Sequence, residues 1–210
     1  MPPGNKRWER GQKERYQRSL RRYLIVCEDS KSSLEYLMRF EIPQGYAEIV
    51  PEGGAGNTIS VVDKAIELKD EAERRNQPFI HCWCVIDRDD HPEDRYKLAF
   101  ERAKQNKDVS VVWANECFEL WYLLHFCYRD TGIKRDDLYK ELSKPDRLNR
   151  KYDKADKNVF ELLKDKRASA HRNAARLLEF NPSPLTNPST NVHLLVAALE
   201  RLQKVATEAQ

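Results

Sequence analysis

No stretch of this chain is apolar for long enough to cross a bilayer, and its first residues, MPPGNKRWERGQKERYQRSLRR, are too polar for a secretory leader. Both absences point away from a membrane and toward the cytoplasm. Cysteine is scarce and odd in number: Cys27, Cys82, Cys84, Cys117 and Cys127, most of them inside apolar runs. That usage suits small core residues in a reducing compartment and excludes a disulfide framework. Cys82 and Cys84 share one face of an extended segment, but no second Cys/His pair stands at ligand spacing, which argues against structural zinc. Internal repeats and low-complexity tracts are also missing. EGGAGNT, residues 52–58, has none of the Gly-Lys-Ser/Thr of a nucleotide-binding loop. It reads as a turn, with a backbone phosphate cradle at the next helix start as the alternative.

Charge, by contrast, is plentiful. Charged residues make up 34% of the 210, and mean hydropathy is −0.80. The length allows one good core with a smaller appendage. The net charge of +3 conceals an uneven distribution. Residues 1–22 hold eight basic and two acidic side chains, residues 134–176 fourteen and eight, and residues 23–133 thirteen and twenty-one. Basic flanks around an acidic centre suit a polyanion held over a cation-binding middle; solvated helix faces beside a loose tail are the plainer reading.

Along the chain, YLIVCE, YAEIVP, FIHCWCVID and VSVVWA read as strands. Helical spacing follows each of them. Leu34, Leu37 and Met38 mark the first helix, which Pro43 stops. Ile59 to Leu68 mark the second, capped by Asn57 or Thr58 and running to about Arg75. Pro92 opens the third, to about Asn106, and ECFELWYLLHFC forms a fourth that is apolar nearly all round. This alternation predicts an α/β fold with a mostly parallel sheet flanked by helices. The expected organisation is a basic mobile arm over 1–22, an α/β domain over 23–131 and a helical appendage over 132–210. The appendage packs on the sheet domain, because few apolar residues remain for a core of its own.

In such a sheet, reactive side chains gather outside the carboxyl ends of the strands. Glu28 ends the first strand and Asp87 the third, and Asp89 leaves the same side as Asp87 while the backbone stays extended. Three carboxylates converging there suit Mg²⁺ or Mn²⁺ and metal-assisted phosphoryl chemistry. Asp90 or His91 can instead cap the helix at Pro92, and Glu93 and Asp94 serve its dipole. Glu119, among Phe118, Leu120, Trp121 and Tyr122, is a carboxylate in an apolar helix. It needs a partner: a lysine, His125 or the surroundings of a metal. Lys31 is placed to neutralise a phosphate, or is a solvated lysine. Asn115 caps the fourth helix or touches substrate. Arg21, Arg22, Asn115, Lys151 and Lys154 are the candidate nucleic-acid contacts, and the basic run around Tyr152 and Phe160 has the mixture of such a surface.

A Glu at one strand end with Asp-x-Asp at another resembles the Toprim domain of topoisomerases, primases and overcoming-lysogenisation-defect nucleases. LIVCEDSKSSLEYL, CVIDRDDHP, NECFELWYLLHF and NPSTNVHLLVAAL resemble, in order, the motifs of RloB-like proteins, a bacterial phage-defence and abortive-infection family. The likeness runs from Tyr23 to about Leu199. It implies a Toprim-like fold, a metal-dependent nuclease acting on DNA or RNA, and an ATPase as a possible partner. Glu28, Asp87 and Asp89 would be the metal residues; Glu119 and Lys31 join them as active-site candidates on the reading of the residues given above. Asp29 stands where that family pattern leads one to expect glycine. A nucleotidyl or phosphoryl transferase and a non-catalytic nucleic-acid-binding partner are the rival readings. No residue pattern sets the oligomeric state.

Overall fold

The computed structural model describes residues 22–29, 31–42, 47–51, 58–89 and 91–208. The arm up to Arg21, the 52–57 loop and Asp90 lie outside the described residues. Strand β1 (Arg22–Cys27) pairs in parallel with β2 (Ala47–Pro51) on one side and with β3 (Phe79–Asp87) on the other; β3 pairs in parallel with β4 (Val109–Asn115). A two-residue strand, β5 (Ser189–Thr190), adds antiparallel to β4 and gives the order β2-β1-β3-β4-β5. The sheet is mostly parallel and flanked by helices, consistent with a Toprim-like arrangement.

Period-two alternation sorts each central strand between two cores. Leu24, Val26, Cys82, Cys84, Ile86, Val109 and Val111 face α2 (Thr58–Arg74) and α3 (Glu93–Lys104). Ile25, Cys27, Val85, Val112 and Ala114 face the opposite layer. Because both faces are covered, these strands read as continuous apolar runs. The opposite layer holds α1 (Ser32–Leu37) and α4 (Glu119–Leu124), followed by α5 (Arg135–Leu142) and α6 (Val159–Leu163). It is completed by α7 (Arg167–Phe180) and α8 (Val192–Glu208). Leu138, Leu142, Leu163, Leu177, Leu195 and Leu199 share one core with the sheet face. The segment after Thr131 therefore supplies both a strand and most of one layer. Among the described residues no helix is long and apolar enough to cross a membrane.

Three elements differ from expectation. Helix α1 stops at Leu37, six residues short of Pro43, because the chain tightens there: Arg39 and Phe40 donate to Tyr36 and Leu37 carbonyls at 3.3 Å. That turn seats Phe40 against Tyr36 and Phe160. Helix α4 is six residues long with tight turns at both ends, and every residue in it is buried. Strand β5 was not anticipated, since two residues beside a proline-rich joint carry no periodic signal. Side chains hold it instead. Asn191 accepts the Trp113 N–H at 2.8 Å and donates to the Val111 carbonyl at 3.0 Å, copying a strand neighbour. Thr190 donates to the Trp113 carbonyl, and the Trp113 indole donates to Ser189.

Candidate active site

The chain leaves β1 toward β2 in one direction and continues from β3 to β4 in the other, so the connections diverge between β1 and β3. A crevice forms outside the carboxyl ends of strands at such a point. Glu28 follows β1 there, and Asp87 is the last residue of β3. The Asp87 N–H donates to Glu28 Oε2 at 3.1 Å, and the other Glu28 oxygen lies 2.9 Å from His91 Nε2. Burial lifts the Glu28 carboxyl above its usual range, against the pull of the Asp87 N–H and His91. Asp87 is 8% exposed, and its carboxylate accepts no hydrogen bond among the described residues. Burial first, then Glu119, Asp29 and Glu28, push its pKa well above the usual range; Lys154 opposes them.

Asp29 is spent locally. It accepts the Ser33 N–H at 3.1 Å and the Ser32 and Ser33 hydroxyls at 2.6 and 2.5 Å, holding the entry to α1. Its place in the expected glycine position thus has a structural use. Glu119 is fully buried. The Tyr152 hydroxyl donates to its Oε1 at 2.7 Å, and Lys154 Nζ stands 3.9 Å from the same oxygen. Oε2 accepts no close hydrogen bond among the described residues, with the Cys117 thiol beside the carboxylate. Burial, then Glu119, raises the Tyr152 hydroxyl far above its ordinary pKa, so it is a neutral donor. Tyr152 was legible only as part of a basic-aromatic run; its contact with Glu119 spans 33 residues of sequence.

Asp89 does not join Glu28 and Asp87. The strand ends at Asp87, and Asp89 takes a left-handed φ of 38°, which turns its side chain away from the direction an extended chain would give. Its N–H donates to the Glu116 carbonyl, and its carboxylate pairs with Arg135. Among the described residues no three His, Cys, Asp or Glu side chains stand where they could hold a metal ion together. The three-carboxylate set expected from spacing is therefore not assembled.

Other candidates are also placed elsewhere. Asn115 is buried and donates to the Pro184 carbonyl at 3.1 Å, so it anchors the proline-rich joint; it neither caps α4 nor faces an open site. Arg22 lies at the far, amino end of β1. Its guanidinium stacks 4.5 Å from the Phe79 ring centroid and bonds the Gln77 carbonyl and Glu48. Lys31 and Lys151 are exposed, and Arg21 lies outside the described residues. His91 does not cap α3, whose preceding residue, Pro92, makes no side-chain cap; it serves Glu28. Glu93 and Asp94 occupy the first turn of α3, and Glu93 pairs with Lys97. His125 bonds the Trp121 carbonyl at 2.8 Å, and burial lowers its pKa to about 3, so it is a neutral core residue and no partner of Glu119.

A shallow cleft beside Glu119 is lined by Ser32, Tyr36, Tyr122, Tyr152, Lys154 and Lys157. Glu119→Gln is expected to keep the Tyr152 bond, since the amide oxygen can accept it. Lys154 is 30% exposed and can recover hydration. Melting should therefore shift by only about 1 kcal/mol, below the ~3–5 kcal/mol lost when one partner of a fully buried pair is removed. A larger loss in thermal melts, with the partner still folded around it, would identify Glu119 as a structural ion-pair anchor.

No curated protein matches this chain, and no solved structure does. A family model, that of the RloB-like proteins, matches residues 23–199, from the first residues of β1 to well inside α8. That span takes in every strand, the Glu28–Asp87 contact and the Tyr152–Lys154 segment, so the chain belongs to the RloB-like protein family.

Proposed function

We propose that this RloB-like protein is a divalent-metal-dependent nuclease that cuts DNA or RNA in anti-phage defence, in the cytoplasm, with an ATPase as a possible partner. The observation that carries the reading is the state of Asp87: a buried carboxylate crowded by Glu28, Asp29 and Glu119, opposed by Lys154, and accepting no hydrogen bond among the described residues. Uncompensated buried carboxylates are costly unless a cation joins them. Mg²⁺ and Mn²⁺ suit such a place, because Mg²⁺ in particular binds through one or two carboxylates and keeps several waters and phosphate oxygens. Two carboxylates are enough, so the departure of Asp89 toward Arg135 does not remove the fit.

Glu28 and Asp87 would hold the ion, and Glu119 adds negative charge behind Asp87. The Asp87 N–H and His91 fix the Glu28 carboxylate, while Tyr152 orients Glu119. A bound ion of this kind supplies Lewis-acid stabilisation of a phosphoryl oxygen and lowers the pKa of water. Lys154 and Lys157 line the adjoining cleft beside Glu35 and Asp156 and would be the groups there that meet a phosphate backbone.

Purified protein incubated with plasmid, single-stranded DNA and total tRNA, with and without Mn²⁺, tests the reading. The expected result is cleavage of a polynucleotide that requires Mn²⁺ and stops with EDTA. Turnover of free nucleotide without polynucleotide cleavage would replace the nuclease with a transferase. Binding that needs no metal and yields no product would reduce the site to a binding module.

A further inference from the structure

The basic side chains around the site are already divided among the carboxylates. His91 serves Glu28, Arg135 serves Asp89, and Lys134 serves Glu116, with Nζ 3.3 Å from Glu116 Oε2. Arg88 donates to the Asp89 and His91 carbonyls, and Lys31 is exposed. Among the described residues it is Lys154 that opposes the charge of Asp87, and it also pairs with Glu119. Its ammonium also lies beside the Tyr139 hydroxyl, a neutral partner, and its hold on Glu119 is loose. At 3.9 Å from Glu119 Oε1 it is within ion-pair range and beyond hydrogen-bond length, since the Tyr152 hydroxyl already holds that oxygen at 2.7 Å. The second, buried Glu119 oxygen accepts no close hydrogen bond among the described residues, with only the Cys117 thiol beside the carboxylate. Lys154 comes from the irregular stretch between α5 and α6 and lines the open cleft, which gives the side chain a way out to water.

We propose that Lys154 is the resident counter-cation of the carboxylate site, occupying the negative charge that a divalent ion takes over, so that the ion and the ammonium compete for Asp87 and Glu119. The inference rests on the metal-binding reading above and adds the residue that sets its affinity. A divalent ion gains twice the Coulomb energy of an ammonium at equal distance and can keep part of its water shell, so on this proposal it displaces Lys154 at a cost that the ammonium sets. Even with water-like screening, a unit positive charge within several ångströms of a divalent ion alters its affinity on the order of tenfold.

Calorimetric titration of the full chain with Mn²⁺ is the test, on wild type, Lys154→Met and Lys154→Arg. Met keeps the aliphatic stem and removes the charge; Arg keeps the charge. Lys154→Met should bind Mn²⁺ about tenfold tighter, and Lys154→Arg should stay within about twofold of wild type. Wild-type binding with unchanged or weaker binding in Lys154→Met overturns the competition and leaves the metal reading standing. Absence of Mn²⁺ binding in both overturns the metal reading and this inference together, whereas binding only in Lys154→Met supports a blocking ammonium. A second measurement needs no variant. Acetylation of Lys154 in the wild-type protein, followed by mass spectrometry, should rise when Mn²⁺ is present; equal or lower reactivity overturns the proposal even if Lys154→Met does not fold.

Discussion

Asp87→Asn should melt higher than wild type in the absence of divalent ions and lose metal-dependent cleavage. The two effects come from the same geometry. Asn occupies nearly the same volume, so the end of β3 and its contact with Glu28 through the backbone N–H are retained. What disappears is a buried negative charge facing Glu28, Asp29 and Glu119. Relief of that crowding should raise stability by about 1–3 kcal/mol, a shift of roughly 2–10 °C for a chain of this size. Loss of one of two carboxylates that would hold the ion should lower cleavage on the order of a thousandfold. Opposite signs for stability and activity mark a residue kept for function at the expense of the fold. Thermal melts in EDTA and a Mn²⁺-dependent cleavage assay on one preparation decide it. A variant that melts lower and still cuts at the wild-type rate would remove Asp87 from the site.

Ending the chain at Thr131 should abolish cooperative folding. The fragment keeps β1 to β4 and the α2 and α3 layer, but it loses β5 and α5 to α8. The sheet face carrying Ile25, Cys27, Val85, Val112 and Ala114 then keeps only α1 and α4 above it. Helix α4 packs on α5, α7 and β4, so its outer side is stripped as well. Phe118, Leu120, Trp121, Leu123 and Leu124 are all fully buried in the whole chain. At ~1.5–3 kcal/mol for each large apolar side chain, exposing them forfeits up to roughly 8–15 kcal/mol, as much as the entire stability of an ordinary domain. Circular dichroism of residues 22–131 should show helix without a sharp melt, and a hydrophobic dye should bind. A sharp melt with fixed near-ultraviolet aromatic signals would show instead that the sheet unit stands alone.

Local sequence was sufficient wherever the determining interactions are short in range or purely periodic. The buried strands β1, β3 and β4 announce themselves as apolar runs, because each is covered on both faces. Glu28 and Asp87 are legible as strand-end carboxylates for the same reason: the run stops and an acid follows. The α/β alternation then places both at one edge of the sheet, since parallel strands put all their carboxyl ends on the same side. What surrounds those two carboxylates was decided by contacts between distant segments. Asp89 departs from the position that its spacing predicts because the chain does not stay extended past Asp87: its left-handed φ and its partner Arg135 lie in a turn and a helix that no spacing rule connects. Asn115 was open to two readings until Pro184, 69 residues away, accepted its amide hydrogen. Glu119 was legible as a buried acid in need of a partner, but not which one; Tyr152 and Lys154 reach it from beyond α5. Strand β5 has two residues and so no period to detect; it exists because Asn191, Thr190 and Ser189 find the backbone and indole of β4. A hydrophobic pattern repeats along the chain and can be read from it, whereas a buried polar group is satisfied by single partners whose positions exist only once the chain has folded.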